Sequence, residues 1–197
     1  MTINTDVIDY FVEYNGKTGE FYYYDKVAKA KRPLDITSLA VMNVGYTISW
    51  YSGKHSCGIY SNEVSDLRDE EFEVKAFTKD DHTLLQKGLY KDIKNDVVVS
   101  GGKLHICLTA LSGMEVVHLK LKWAAFYEYT QTEYNQAAEK LDIAWIEDRK
   151  NGAIEYKVPK FEKWDKFTEN EKSLIADLRS KLLKTENKED SNDLPFN

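Results

Sequence analysis

Apolar and polar residues alternate over several short stretches of the chain, which is the pattern of β-strands that bury one face. The stretches that predict strands are 7–14, 21–24, 36–50, 59–64, 72–77, 103–111, 115–123, 143–146 and 153–158. Turn-forming residues separate several of them, including Asn15–Gly19 and Asn151–Gly152, and these turns predict β-hairpins. Ser100–Gly102 predicts a further hairpin between Val97–Val99 and the stretch at 103–111. The chain is therefore predicted to be mostly β.

Two segments have helical patterning instead. Residues 124–141 have a helical composition, and a capping box formed by Thr168 and Glu171 begins a helix of about residues 168–184. The apolar residues of that helix fall on one stripe: Leu174, Ile175, Leu178 and Leu182. The polar segment 80–94 predicts a loop or a short helix. Residues 1–184 are expected to form one domain.

Charge is distributed unevenly along the chain. The 197 residues carry a net charge of −6, and residues 185–197 account for −3 of it with four acids and one lysine. An acidic body argues against a uniformly basic nucleic-acid-binding protein but leaves room for a local basic surface. The segment Lys17–Arg32 provides one, with five bases against two acids. Met1–Tyr10 lacks the apolar core of a signal peptide, and no stretch is long enough to cross a membrane, so we expect a cytoplasmic protein.

Aromatic side chains stand beside these bases. In a strand, Tyr22 and Tyr24 share one face, opposite Phe21 and Tyr23. Exposed aromatics next to cations are what single-stranded DNA needs, because bases stack on the rings and phosphates pair with the charges. A second loop brings Lys54 between Trp50 and Tyr60. The predicted DNA-binding residues are Tyr22, Tyr24, Lys26, Lys29, Lys31, Arg32, Trp50, Lys54 and Tyr60. The alternative is an ordinary hairpin whose edge is guarded by lysines.

Two patterns raise the question of a metal. The pairs His55-x-Cys57 and His105-x-Cys107 offer four zinc ligands, but their spacing is not that of a zinc knuckle. Asp66 with Glu73-x-Lys75 has the residues of a metal-dependent nuclease, although Glu-x-Lys is also a common salt-bridged strand surface. The chain has no phosphate-binding loop and no nucleophile elbow. We therefore expect no metal, no cofactor and no enzymatic activity.

The last thirteen residues, 185–197, are acidic and lack any periodic pattern, which predicts a disordered tail. The tail closes on an apolar tip that resembles the acidic C-terminal tip of bacterial and phage single-stranded DNA-binding proteins, except that Asn197 follows the final Phe. The residues that carry the resemblance, and that it implies bind a partner protein, are Asp193, Leu194, Pro195 and Phe196. The resemblance also implies an OB-fold body and a tail that recruits replication and repair proteins.

These observations together predict a mostly β (β+α) protein, with an OB-like β-barrel, one or two helices and a disordered acidic C-terminal tail. The expected function is single-stranded DNA binding without sequence specificity, in DNA replication, recombination or repair, and the protein is expected to be phage-encoded and to act in the host cytoplasm. The main alternative is a non-enzymatic β-rich scaffold or virion accessory protein. A small metal-dependent nuclease is the third possibility. Nothing in the sequence specifies an oligomeric state.

Overall fold

The structure is a computed structural model that describes residues 3–78, 82–96, 101–131, 140–163 and 167–182. The strands in these residues are β1 (Tyr10–Asn15), β2 (Glu20–Asp25), β3 (Ala30–Pro33), β4 (Ser38–Ser52), β5 (Cys57–Ser61), β6 (Glu71–Phe77), β7 (His82–Leu89), β8 (Lys103–Ser112), β9 (Glu115–Leu121), β10 (Lys140–Asn151) and β11 (Ile154–Lys163). The α-helices are α1 (Tyr90–Ile93), α2 (Trp123–Gln131) and α3 (Glu169–Leu182), and a 3-10 turn covers Thr5–Val7.

The described strands form one open sheet in the order β3-β2-β1-β9-β8-β4-β5-β6-β7, and β10 joins the start of β4 and pairs with β11. The prediction of a mostly β fold is therefore confirmed. The hairpins predicted at Asn15–Gly19 and Asn151–Gly152 are present as β1–β2 and β10–β11. Most neighbours are antiparallel, but β1 runs parallel to β9. Val97–Val99 and the tail at 185–197 lie outside the described residues.

The polar segment at 80–94 differs from its prediction. Residues His82–Leu89 form β7, and only the short helix α1 follows. The strand exists because β6 supplies its backbone partners, and because Lys87 pairs with Glu73 and Glu71 of that strand. Pairing with a neighbour therefore overrides the weak local pattern.

The long strands β4 and β8 carry two apolar cores on the same face. The first core packs under α2, with Ala125 and Tyr129 against Leu108, Leu119 and other buried side chains. The second core lies at the far end of β4, around Ile48, Ile59, Phe72 and Val74.

We call the opposite face the outer face. Among the described residues, α3 covers one end of it, where Ile175 and Leu182 pack on Met42 and Val116. The predicted capping box begins that helix, since the Glu171 carboxylate accepts the Thr168 N–H at 2.8 Å and Thr168 Oγ1 accepts the Glu171 N–H at 3.3 Å. None of the helices in the described ranges has the length and apolar composition to cross a membrane.

Because directly paired residues share a face of a sheet, the strand registers define the rest of the outer face. Glu13 pairs with Tyr22 on one side and Lys120 on the other, and Cys107 then links Lys120 to Gly45. The registers and the alternation along each strand place further side chains on the outer face beyond α3. These include Tyr22, Tyr24, Lys31, Phe11, Glu13, His118, Lys120, Lys103, His105, Cys107, Thr109, Gly45, Tyr51, Gly58, Tyr60, Glu73, Lys75 and Phe77.

Candidate functional site

The predicted aromatic residues of the first hairpin lie on the outer face. Phe21 packs in the first core, so Tyr22 and Tyr24 project the other way, as their strand alternation predicts. Tyr24 is 57% exposed, and Lys31 is its cross-strand partner on β3. The Lys31 ammonium lies 4.3 Å from the centroid of the Tyr22 ring. This hairpin therefore presents aromatic rings and a cation together.

The remaining cations of this hairpin have different positions. Lys26 and Lys29 are exposed in the turn between β2 and β3, which the Asp25 carboxylate closes by accepting the N–H groups of Val27 and Ala28 at 2.9 Å. Arg32 pairs with Tyr23, so it lies on the opposite face from Tyr22, and its Nε is 3.5 Å from the Asp25 carboxylate. Arg32 is therefore partly neutralised, whereas Lys26 and Lys29 face solvent.

A second aromatic group lies on β5, β6 and β7. Tyr60 meets Phe77 edge-on with ring centroids 5.4 Å apart, and Phe77 meets His82 at 4.3 Å. Gly58 makes room for this group, because a Cβ there would lie 2.5 Å from the Tyr60 ring. Tyr51 pairs with Gly58 and is exposed beside the same rings. Sequence reasoning identified Tyr60 but missed the other rings.

Trp50 and Lys54 complete the predicted set. Trp50 pairs with Ile59 and packs against the second core, so its ring faces away from Tyr60. Lys54 is exposed in the turn between β4 and β5. The structure thus places the predicted residues on two hairpins that three strands, β1, β9 and β8, separate. Tyr22, Tyr24, Lys31 and Tyr60 share the outer face, and Trp50 does not.

Glu13, Lys120 and Lys122 form a charged group between the two hairpins. Glu13 accepts hydrogen bonds of 2.8 Å from Lys122 Nζ and from the Tyr22 hydroxyl. Burial alone would raise the pKa of Glu13, but these hydrogen bonds outweigh it and hold the pKa below its usual range. Burial and the contact with Glu13 raise the pKa of Tyr22 to about 12. Lys120 lies on β9 and is partly exposed, and Lys122 follows the end of that strand. The middle of the outer face therefore carries two further cations, Lys120 and Lys122.

Next to these lysines is a compact polar group formed by Glu63, Cys107 and His118. His118 Nε2 lies 3.2 Å from Glu63 Oε2, and His118 Nδ1 lies 3.1 Å from Thr109 Oγ1. Burial alone would lower the pKa of His118, but Cys107 and Glu63 outweigh it and raise the pKa to about 10. His118 therefore pairs with Glu63 as a cation. Sequence reasoning missed Glu63 and His118, although the alternation of β8 and β9 places Cys107 and His118 on one face.

Glu63 reaches this group over the backbone of β4. A Cβ at Gly45 would overlap Glu63 Oε1 and would lie 2.5 Å from Cδ. Oε1 is buried without a hydrogen-bond partner, as is Nδ1 of the nearby His105. Burial, with Lys120 and Lys122 nearby, lowers the pKa of His105 to about 4, so this imidazole is neutral.

The zinc pattern considered from the sequence does not assemble, and the residues of the nuclease pattern have partners within the protein. Cys57 belongs to the second core while His55 is exposed, and Cys107 lies on the outer face, so the two His-x-Cys pairs do not converge. Glu73 lies between Lys87 and Lys75, whose hydrogen bonds hold its pKa below the usual range. Asp66 accepts the Arg68 N–H at 2.7 Å. Among the residues with described positions, the one group of three possible metal ligands is Glu63, Cys107 and His118.

No protein-family model matches the chain, and comparisons with curated proteins and with solved structures find no significant match. The arrangement of the outer face therefore carries the functional argument.

Proposed function

We propose that the protein binds single-stranded DNA across the outer face of its sheet. The observation that carries the proposal is the order of side chains along this face: Tyr24, Tyr22 and Lys31 lie at one end, Lys120 lies in the middle beside the Lys122–Glu13 ion pair, and an aromatic cluster lies at the other end. Rings supply stacking surfaces that tolerate any base, and lysines supply contacts to phosphates.

The dimensions suit a short stretch of single strand. From β2 to β5 the sheet has five strand-to-strand steps, which at roughly 4.8 Å each cover about 24 Å. Nucleotides spaced at least about 3.4 Å apart would place up to about seven on this path. That number lies within the roughly 4–16 nucleotides that one single-strand-binding module occupies.

The net charge of −6 is compatible with this proposal because binding depends on local charge. Lys26 and Lys29 extend the cationic surface at the hairpin turn, and Lys54 does so at the other hairpin. Each phosphate that these cations neutralise releases counterions. We expect the logarithm of affinity to fall with the logarithm of salt concentration, with a slope of about −0.7 per phosphate.

The proposal does not depend on a closed barrel. An OB-like barrel remains a prediction, and an open sheet offers the same kinds of contact. We further propose that the acidic tip at 193–196 recruits proteins of replication, recombination or repair. Both roles are those of a non-enzymatic binding protein, and the resemblance of the tip favours a phage-encoded one.

The test is titration of fluorescently labelled oligo-dT with the full chain at two salt concentrations. Tyr24→Ala removes a stacking ring from the outer face and should weaken binding by about 1–3 kcal/mol. Tyr127→Ala is the matched control, because Tyr127 is also 57% exposed but lies on α2, on the other side of the sheet. This control should bind as the unmodified protein does.

A pair of charge reversals tests the phosphate contacts. Lys26→Glu with Lys29→Glu should weaken binding and reduce the salt slope. Lys150→Glu with Lys91→Glu makes the same change of net charge away from the outer face and should have little effect, because Lys150 lies at the tip of β10 and Lys91 lies on α1, which packs on the second core. If the unmodified protein fails to bind oligo-dT at low salt, the proposal is wrong and a scaffold role is favoured. Cleavage of the oligonucleotide that requires magnesium would favour the nuclease.

A further inference from the structure

The Glu63, Cys107 and His118 group brings three metal-ligating chemistries together from three parts of the chain. Glu63 comes from the segment after β5, Cys107 from β8 and His118 from β9. One donor atom from each lies within 4.8 Å of the other two. The Cys107 residue is 0% exposed, and the side chains of His118 and Glu63 are 12% and 18% exposed. Thiolate, imidazole and carboxylate are the ligands of Zn²⁺ in proteins.

Neighbouring residues orient these donors. His118 Nδ1 can donate to Thr109 Oγ1 at 3.1 Å, which directs Nε2 toward Glu63, and an ion can bind Nε2 once it displaces the proton shared with the carboxylate. Histidine ligands of metals ordinarily make this kind of second hydrogen bond, because it fixes the tautomer and the ring. The Thr47 hydroxyl lies 3.9 Å from Cys107 Sγ and can donate to a thiolate. Thr109 and Thr47 belong to the central strands β8 and β4, and Cys107 and His118 belong to β8 and β9. The sheet therefore sets the positions of these two ligands.

The distances also suit an ion. Zinc at about 2.0–2.2 Å from nitrogen and oxygen in tetrahedral geometry separates those two atoms by about 3.4 Å. The observed separation of His118 Nε2 and Glu63 Oε2 is 3.2 Å. With a zinc–sulfur bond of about 2.3 Å, the sulfur and nitrogen ligands would be about 3.6 Å apart. The donor atoms lie within 4.8 Å of one another, so sulfur and nitrogen would approach each other by at most roughly 1 Å. The second Glu63 oxygen, Oε1, is buried and without a partner, and so is available to the ion.

We propose that Glu63, Cys107 and His118 form a binding site for one divalent transition-metal ion of the Zn²⁺ class. The ligands are the Cys107 thiolate, His118 Nε2 and the Glu63 carboxylate, and a fourth position is left for water or a small ligand. Binding replaces the proton that His118 shares with Glu63 and removes the Cys107 thiol proton. The ion ties the segment after β5 to the central strands. This proposal is independent of DNA binding.

The experiment uses the full chain after treatment with EDTA and dialysis, titrated with Zn²⁺ by calorimetry and with Co²⁺ by absorbance. We expect about one equivalent of either ion, a thiolate-to-cobalt charge-transfer band, and a rise in melting temperature with Zn²⁺. Cys107→Ser should abolish the charge-transfer band and weaken Zn²⁺ binding by about 100-fold or more, since even outer partners of a ligand contribute about 10–100-fold. Cys57→Ser is the matched control, because Cys57 is also buried but packs in the second core.

A second variant keeps the test decisive if Cys107→Ser does not fold. Glu63→Gln preserves the shape of the side chain and both sulfur and imidazole, so it should retain the cobalt band but weaken Zn²⁺ binding at least about tenfold. The proposal is overturned if the unmodified protein binds no stoichiometric Zn²⁺. It is also overturned if neither Cys107→Ser nor Glu63→Gln weakens binding, because the ion would then be held elsewhere.

Discussion

Replacement of Gly45 by alanine tests whether the Glu63 carboxylate lies over β4. An added Cβ would overlap Oε1 and approach Cδ to 2.5 Å and Cγ to 2.6 Å. The obstacle is the flexible end of a side chain, so the least costly response is for Glu63 to rotate away from the sheet. That rotation breaks the 3.2 Å ion pair with His118.

The size of the effect follows from the burial of that pair. Removing one partner of a fully buried ion pair costs about 3–5 kcal/mol, and exposed pairs contribute about 0–1 kcal/mol. Side-chain exposures of 12% and 18% place this pair between those limits, at about 2–3 kcal/mol. Alanine is more favourable than glycine within a strand by about 0.5–1 kcal/mol. Gly45→Ala should therefore lower the free energy of unfolding by about 1–2 kcal/mol.

The effect of Gly45→Ala on the free energy of unfolding should change sign when Glu63 is replaced. In a Glu63→Ala background the space over Gly45 is open and the ion pair is already lost, so Gly45→Ala should raise the free energy of unfolding by about 0.5–1 kcal/mol. The assay is urea unfolding of the four proteins of the double-mutant cycle, in EDTA so that no metal contributes. Gly53→Ala is the control, because nothing lies within 4 Å of a Cβ there. Equal effects of Gly45→Ala in both backgrounds would refute the assigned position of Glu63.

Other predictions concern the rest of the molecule. Glu128→Ala should lower the free energy of unfolding in urea by about 1–3 kcal/mol, because a buried carboxylate that pairs with Arg149 and Lys160 is lost. The cost is moderate because water partly hydrates Arg149 and Lys160. An unchanged free energy of unfolding would contradict this prediction. Absorbance titration should show the Tyr22 hydroxyl ionising near pH 12 and at lower pH in Glu13→Gln. Because that pKa is above its unfolded value, the associated stability is present below pH 10 and is lost as pH rises through 12. Deletion of residues 185–197 should tighten oligo-dT binding, most at low salt, because the deleted segment carries a net charge of −3. Phe196→Ala should leave oligo-dT binding unchanged and lose partner proteins in a pull-down; identical recovery of partners would exclude recruitment by the tip.

Local patterns predicted the elements whose signals are contained within a few residues. The hairpin turns at Asn15–Gly19 and Asn151–Gly152 and the capping box of Thr168 and Glu171 are present because each is specified by its own neighbours. Strand alternation also placed Tyr22 and Tyr24 opposite the core.

The features that were missed depend on contacts between distant segments. Residues 82–89 form β7 because they pair with β6, and their own polar sequence does not predict a strand. The relation of Tyr60 to Tyr24 depends on the order of strands in the sheet, which alternation cannot give. Glu63 and His118 meet only because Gly45, in a third segment, leaves space for the carboxylate to cross β4. No spacing within one segment encodes such a contact.

The parallel pairing of β1 with β9 has a consequence for synthesis of the chain. Asp9 and Val116, which are 107 residues apart, exchange two hydrogen bonds at this junction. At about 5–20 residues per second, the ribosome needs roughly 5–20 s to make the intervening chain. The hairpin β1–β2 is thus made well before β9, and one edge of β1 is unpaired until β9 has been made. Hydrogen exchange during refolding should therefore protect the amides of β8 and β4 before those that join β1 to β9.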